Sequence, residues 1–116
     1  MTTEWRDGRH VLDLDATARV EVGGTIVDLR GDIDVFTVAK LRSIVEQFVR
    51  SGETAVALDV SGVHYIDPRG AEALLSCAGL AAEAGCRLTL QGPSRGVRRL
   101  MDLFDLSAML SESPQQ

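Results

Sequence analysis

From Ala18 to Val22 the chain alternates, with Ala18, Val20 and Val22 on one side and Arg19 and Glu21 on the other. That is the period of a half-buried strand. Gly23-Gly24 follows, and two residues that tolerate positive φ predict a tight hairpin turn into a partner strand over TIVDLRG. Then the period lengthens. In VFTVAKLRSIVEQFVRSG, Val38, Leu41, Val45, Phe48 and Val49 recur at helical spacing, while Lys40, Arg42, Glu46 and Gln47 lie elsewhere. The pattern predicts an amphipathic helix with Asp34 as its N-cap and Gly52 as its stop.

Val56, Leu58 and Val60 alternate with small or polar residues in TAVALDVSGV, which suits a central strand. Asp67 is placed to cap a second helix, and Pro68 costs no hydrogen bond in a first turn whose N–H is unpaired anyway. Leu74, Cys77, Ala78 and Ala81 form its apolar stripe, and Gly85 ends it. CRLTLQG gives a further strand, with Leu88 and Leu90 on one side. Gly92-Pro93 then turns into a third helix from Ser94 to Phe104, and LSAML forms a short strand or helical turn. Strands separated by helices imply right-handed crossovers, hence an α/β fold with a mixed, mostly parallel sheet, helices packed against it and an N-terminal antiparallel hairpin. Residues 1–9 read as a flexible N-terminus, 10–110 as the domain and 111–116 as a flexible tail. Whether Trp5 and its neighbours extend the sheet is open from the pattern alone.

Composition narrows the function classes. A chain of 116 residues fits one hydrophobic core. A net charge of −5 without a basic run argues against nucleic-acid binding, which needs clustered cations to displace counterions. Arg95, Arg98 and Arg99 read as a solvated helix face. No apolar run approaches the roughly 20 residues that span a bilayer, and the polar MTTEWRDGRH lacks a signal-peptide core, so no membrane insertion and a cytoplasmic location are expected. Cys77 and Cys86 should lie on the order of 10 Å apart, beyond the roughly 7 Å that a disulfide bridges, so each is expected as a small apolar residue near the core.

Candidate chemistry is sparse. His10 and His64 sit in no pattern that supplies a nucleophile with an orienting acid, and two cysteines with distant histidines do not make a metal site. Asp32 and Asp34 could hold a hard cation; the simpler reading makes Asp34 a cap and Asp32 a turn residue. The glycines never assemble into a phosphate loop with its Lys and Ser or Thr. No enzyme activity, cofactor or metal is expected.

Three blocks carry a family likeness. LRGDID (Leu29 to Asp34), with Thr37 and Leu41, resembles the L-x-G-E-L-D…T…L stretch of the STAS family, whose founding members are bacterial anti-sigma factor antagonists. LDVSGVHYIDPRGAEALL (Leu58 to Leu75) resembles its LDLSGVxFIDSSGLxxLL. GCRLTLQGPSRGVRRLMDLFDL is similar to its GGxLxLxxxSPxVRRxLxLxGL ending. Together the blocks cover most of Val20 to Leu110 in order.

The resemblance implies a cytoplasmic protein that binds an anti-sigma factor, often a serine kinase, and so releases a sigma factor. A monomer or weak homodimer is expected. In the antagonist branch a phosphate on the D-S-S-G turn ends that binding, because it adds about −1.5 to −2 charges to a contact surface. Here Pro68 and Arg69 stand at the two serine positions and Ala71 replaces a family leucine. The usual phosphorylation site is therefore absent, and Arg69 marks its degenerate remnant. Arg69 admits three readings: a cation that pairs with an acid on the partner, a sign of an adaptor with another partner such as a membrane transport ATPase, or a surface residue whose stem covers neighbours. Carried over by position, the partner surface comprises Asp32, Asp34 and Phe36, then Asp67, Pro68, Arg69, Gly70, Ala71 and Glu72, then Ser94 and Arg95. These belong to turns that follow the carboxyl ends of strands, where an open sheet gathers its binding loops.

Overall fold

The computed structural model describes residues 2–5 and 14–111. His10 and the stretch beyond Ser111 lie outside the described residues. The sheet has five strands in the order β1 (Thr2–Trp5), β2 (Leu14–Glu21), β3 (Gly24–Ile33), β4 (Ala55–Ile66) and β5 (Arg87–Gln91). β1, β2 and β3 pair antiparallel, whereas β3, β4 and β5 pair parallel. Helix α1 (Val38–Arg50) connects β3 to β4 and α2 (Pro68–Glu83) connects β4 to β5. The two helices touch each other, so both crossovers cover the same face of the sheet. Helix α3 (Arg95–Leu103) packs on β4, and a 3₁₀ turn (Ser107–Met109) leads to Leu110, which bridges Leu90 in parallel. The final apolar stretch is thus a helical turn followed by a single bridge.

Strand register aligns the core. Ala18 pairs Val27, Val27 pairs Leu58 and Leu58 pairs Leu90, and all four are buried. Leu41, Ile44 and Val45 of α1 and Leu74, Cys77 and Ala81 of α2 close over this row. Each fully buried aliphatic side chain contributes about 1.5–3 kcal/mol by leaving water. The intervening positions form a polar row on the other face, Thr17, Asp28, Asp59 and Gln91. Arg19 bonds to Asp28 and, at 2.9 Å, to Glu21. Asp59 accepts bonds from the Ser61 amide and hydroxyl and from the Gln91 amide. Partial burial pushes the Asp59 carboxyl up, but those hydrogen bonds and the Arg19 charge outweigh it and hold the group below its ordinary value. A depressed carboxylate stabilises the fold above the unfolded value and loses that contribution as pH falls through the folded one.

The structure shifts several sequence expectations. Glu21 pairs Gly24, so the hairpin turns on Val22-Gly23, one residue early. Val20 and Val22 share the parity of the core yet are 70% and 107% exposed, because the hairpin projects past the helices that cover that face. Asp34 is not the cap of α1. Its carboxylate accepts the Phe36 amide and its carbonyl accepts the Thr37 and Val38 amides, forming a turn that ends at Thr37, the residue before the helix. Ile44, outside the expected stripe, is buried. Thr2–Trp5 adds an edge strand to the hairpin. β4 continues past Val60 through two register breaks against β3, one between Asp28 and Arg30 and one between Gly31 and Asp32; each flips the parity, so that Val63 after the first and Ile66 after the second face the core.

One glycine fixes how closely α2 approaches the sheet. A Cβ on Gly70 would lie 2.0 Å from the Ile33 carbonyl oxygen. Gly70→Ala is expected to destabilise the domain by about 3 kcal/mol, the upper part of the overpacking range. Urea unfolding, with an unchanged slope and a lowered midpoint, is the check.

Candidate functional site

The ends of β3 and β4 lie side by side, Ile33 beside Ile66, so the turns that follow them meet. Asp67 joins the two turns. One carboxylate oxygen accepts the Gly70 amide at 2.6 Å and caps α2. The other accepts the Val35 amide at 3.1 Å, reaching across to the β3–α1 turn. In return the Asp67 amide donates to the Ile33 carbonyl. A single side chain therefore satisfies one orphan donor of a helix and one of a loop. The β3–α1 turn is also fixed from within, because the Thr37 hydroxyl donates to the Asp32 carbonyl at 2.8 Å and accepts from the Asp34 amide at 3.0 Å.

This framework holds apolar and charged groups in solvent. Phe36 is 81% exposed and Val35 47% exposed. Pro68, Arg69 and Glu72 are exposed on the first turns of α2, and Tyr65 is exposed on the last turn-ward stretch of β4. Arg69 forms no ion pair among the described residues. A cation in the first turn of a helix meets the positive end of the dipole and is disfavoured by roughly 0.3–1 kcal/mol.

Of the residues singled out from sequence, the structure brings together Asp32, Asp34, Phe36, Asp67, Pro68, Arg69 and Glu72. Asp32 is half-buried and Asp34 is buried. Gly70 and Ala71 occupy the same turn but are buried against β3 and the core, so they shape the surface without presenting side chains to it. Ser94 and Arg95 stand apart. β5 ends beside the middle of β4, and a Cβ on Gly92 would touch Asp59 and Ser61. From Ser61 to Asp67 along β4 is about 20 Å at strand rise. Ser94 caps α3 by accepting the Val97 amide at 3.2 Å. The holding role of Thr37 was missed from sequence, although its spacing from Asp34 suits a local side-chain turn.

Asp34 spends its carboxylate inside the turn, and no group of three metal-ligating side chains exists among the described residues. Cys77 and Cys86 are buried free thiols. Burial pushes the Cys77 thiol up to about 11, with Arg42 opposing and Glu46 adding to the shift. Among the described residues no helix is long and apolar enough to cross a membrane.

A family model described as "Mlab, STAS domain" matches residues 16–111. No curated protein matches the chain. Among solved structures, the chain resembles the unphosphorylated form of the anti-sigma factor antagonist SpoIIAA of Bacillus, at 16% identity and a TM-score of 0.65, covering 84% of this chain and 89% of that one. It also resembles an anti-sigma factor antagonist from Mycobacterium paratuberculosis, at 19% identity, a TM-score of 0.68 and coverage of 88% and 86%. The protein TM1081, solved by NMR, aligns at 15% identity with a TM-score of 0.70 over 92% of this chain and 83% of its own. At these identities the likeness is one of fold.

Two outcomes follow from the turn geometry and the thiols. Asp67→Ala removes a helix cap and a loop tie together, so it should cost about 2–3 kcal/mol in denaturant unfolding and raise hydrogen exchange at the Val35 and Gly70 amides. Neither cysteine should react with a thiol reagent at neutral pH until the domain unfolds, which labelling across a urea series measures.

Proposed function

The chain belongs to the STAS domain family, and from that premise we propose that it is a non-enzymatic regulator, an anti-sigma factor antagonist that binds an anti-sigma factor and thereby releases a sigma factor. The observation that carries this reading is the pairing of an exposed phenylalanine, Phe36, with an unpaired guanidinium, Arg69, on two turns held in register by Asp67. An exposed aromatic ring and a cation in an unfavourable helix turn both gain from a partner. Apolar contact would cover the ring, and a carboxylate would neutralise the charge. Arg69 contributes affinity and partner choice.

The solved relatives that share the fold include two whose names state anti-sigma factor antagonism, which supports this assignment. Regulation differs from that of the serine-bearing branch. With Pro68 and Arg69 at the positions of the serines, this turn has no hydroxyl to phosphorylate, and the surface keeps its positive charge at all times. The antagonist is constitutively competent to bind, and its output is set by its amount. Exposed large apolar side chains lie scattered over the hairpin, the β3–α1 turn, α2 and α3, unlike the continuous apolar face of an obligate subunit.

The test is capture from host lysate on wild-type, Arg69→Glu and Phe36→Ala baits, followed by calorimetry with the identified partner. An anti-sigma factor should be retained by the wild-type bait, and each substitution should weaken its binding by about 1 kcal/mol or more. Retention of a transport ATPase in its place, or equal affinity for all three baits, would sink the proposal.

A further inference from the structure

α3 (Arg95–Leu103) turns an apolar face inward and a charged face outward. Val97 and Met101 are buried, and Leu100 and Phe104 pack partly against the same core. Successive residues of a helix are about 100° apart, so Arg95, Arg98, Arg99 and Asp102 share one arc on the side away from Val97 and Met101. All four are exposed. Leu103, 70% exposed, lies at the margin of this arc, about two turns after Gly96. A Cβ on Gly96 would meet nothing within 4 Å, so no packing inside the chain requires a glycine there.

The charges on this face are sorted by sign. The three arginines lie in the first half of α3, and Asp102 and Asp105 lie at its end. That is the reverse of the order that a helix dipole favours. None of the five has an ion pair among the described residues. One oxygen of Asp102 accepts the Ser107 hydroxyl at 2.6 Å. Asp105 is fixed just past the helix, at φ 62, by its own amide on the Asp102 carbonyl and by the Leu106 amide on the Met101 carbonyl. The Gly92 turn that leads into α3 lies against Asp59, but Ser61 and Gln91 occupy that carboxylate, and the cation that acts on it is Arg19.

A face with cations at one end and anions at the other is complementary to itself when turned end for end, the condition for an isologous two-fold contact. We propose that α3 is the contact of a weak homodimer, in which two copies pair this helix antiparallel, with Arg95, Arg98 and Arg99 of each against Asp102 and Asp105 of the other. A two-fold axis at the height of Leu100 sets Arg98 opposite Asp102 and Arg95 opposite Asp105, and each pair occurs twice. The same arrangement lays the amino end of each dipole beside the carboxyl end of the other. At the rim Leu103 of one copy meets Gly96 of the other, where the missing side chain leaves room for it. A parallel pair would instead set like charges together. The contact is one short helix wide, well below an obligate interface, so exposed charge pairs hold it and it is weak and sensitive to salt. Ser94 and Arg95 stand apart from the Phe36 and Arg69 turns, so self-association does not depend on the binding of an anti-sigma factor.

The experiment uses the full chain. Sedimentation over a concentration series at about 20 mM and about 500 mM salt should show a monomer–dimer equilibrium whose dissociation constant rises at least about tenfold with salt. Amide shifts of the ¹⁵N-labelled chain on dilution should be confined to α3 and its flanks, from Ser94 to Leu106. Arg98→Glu and Asp102→Arg, both exposed, should each weaken self-association at least about fivefold, because like charges then face each other twice. An equimolar mixture of the two variants should recover it, since each exchanged charge then meets its opposite on the other chain. Circular dichroism checks that both variants keep the fold, and the salt series and amide map of the unsubstituted chain stand without them. A monomer at every concentration in low salt, association indifferent to salt, shifts on the hairpin, a sheet edge or α1 and α2, or a mixture no tighter than either variant alone would overturn the proposal.

Discussion

The Asp67 carboxylate is the constraint on which the functional end of the domain depends. Its two oxygens accept amides from different segments, Gly70 in α2 and Val35 in the β3–α1 turn, 35 residues apart in sequence at their extremes. Charge-assisted bonds of this kind are about twice as strong as neutral ones. Because both acceptors belong to one planar group, the two turns cannot move independently. Phe36 and Arg69, which have no packing of their own to fix them, thereby inherit a defined relative position. Gly70 completes the arrangement by letting α2 settle against the Ile33 carbonyl, which itself accepts the Asp67 amide.

The rest of the sheet explains why this end is left uncovered. Both crossover helices cover one face, and on the opposite face Arg19, Asp28, Asp59 and Gln91 form a polar row among the described residues. Asp28 and Asp59 are direct neighbours across parallel strands, a like-charge placement that would be destabilising without partners. Arg19 neutralises the first, and Ser61 with Gln91 saturate the second. Ser61 reaches back to Asp59 where the strand breaks register, the same break turns Val63 inward, and a second break one step on turns Ile66 inward. The first irregularity thus settles a polar row, and β4 runs through both of them beyond the end of β5. That added length carries the Asp67 turn away from the Gly92 turn.

What the sequence revealed, and what it hid, follows from the range of the forces involved. Alternation at Val56, Leu58 and Val60 and the Asp67-Pro68 start of α2 were legible because side-chain parity and capping act within a few residues. Alternation at Val20 and Val22 named the correct face but could not say where the covering helices end, which is a tertiary matter. Asp34 followed the composition of a cap, yet a carboxylate that bonds two residues on looks the same in sequence whether a helix begins at once or four residues later. The two register breaks disguised the second half of β4, since Ser61, His64 and Tyr65 no longer alternate with Val63 and Ile66 at a period of two. Without that half, the three loops read as sharing one edge, and Ser94 and Arg95, which follow the end of β5 beside the middle of β4, were grouped with turns at the far end of β4.

Under the function proposed above, Arg69 also bears on how a surface can differ in regulation while retaining its shape. A serine at the amino end of a helix is a position where a phosphate is tolerated by the free domain, because unpaired amides and the dipole favour an anion. An arginine at that position reverses both terms. It is slightly unfavourable in the free domain and favourable only against an anionic partner, so the free energy that a phosphate would place in the unbound state is moved into the bound one. The fold accommodates either choice because the cap that defines the turn, Asp67, and the close contact at Gly70 involve neither residue 68 nor the side chain of residue 69. The framework is separable from residues 68 and 69, and under the function proposed above it remains while a fixed charge stands at the position of the switch.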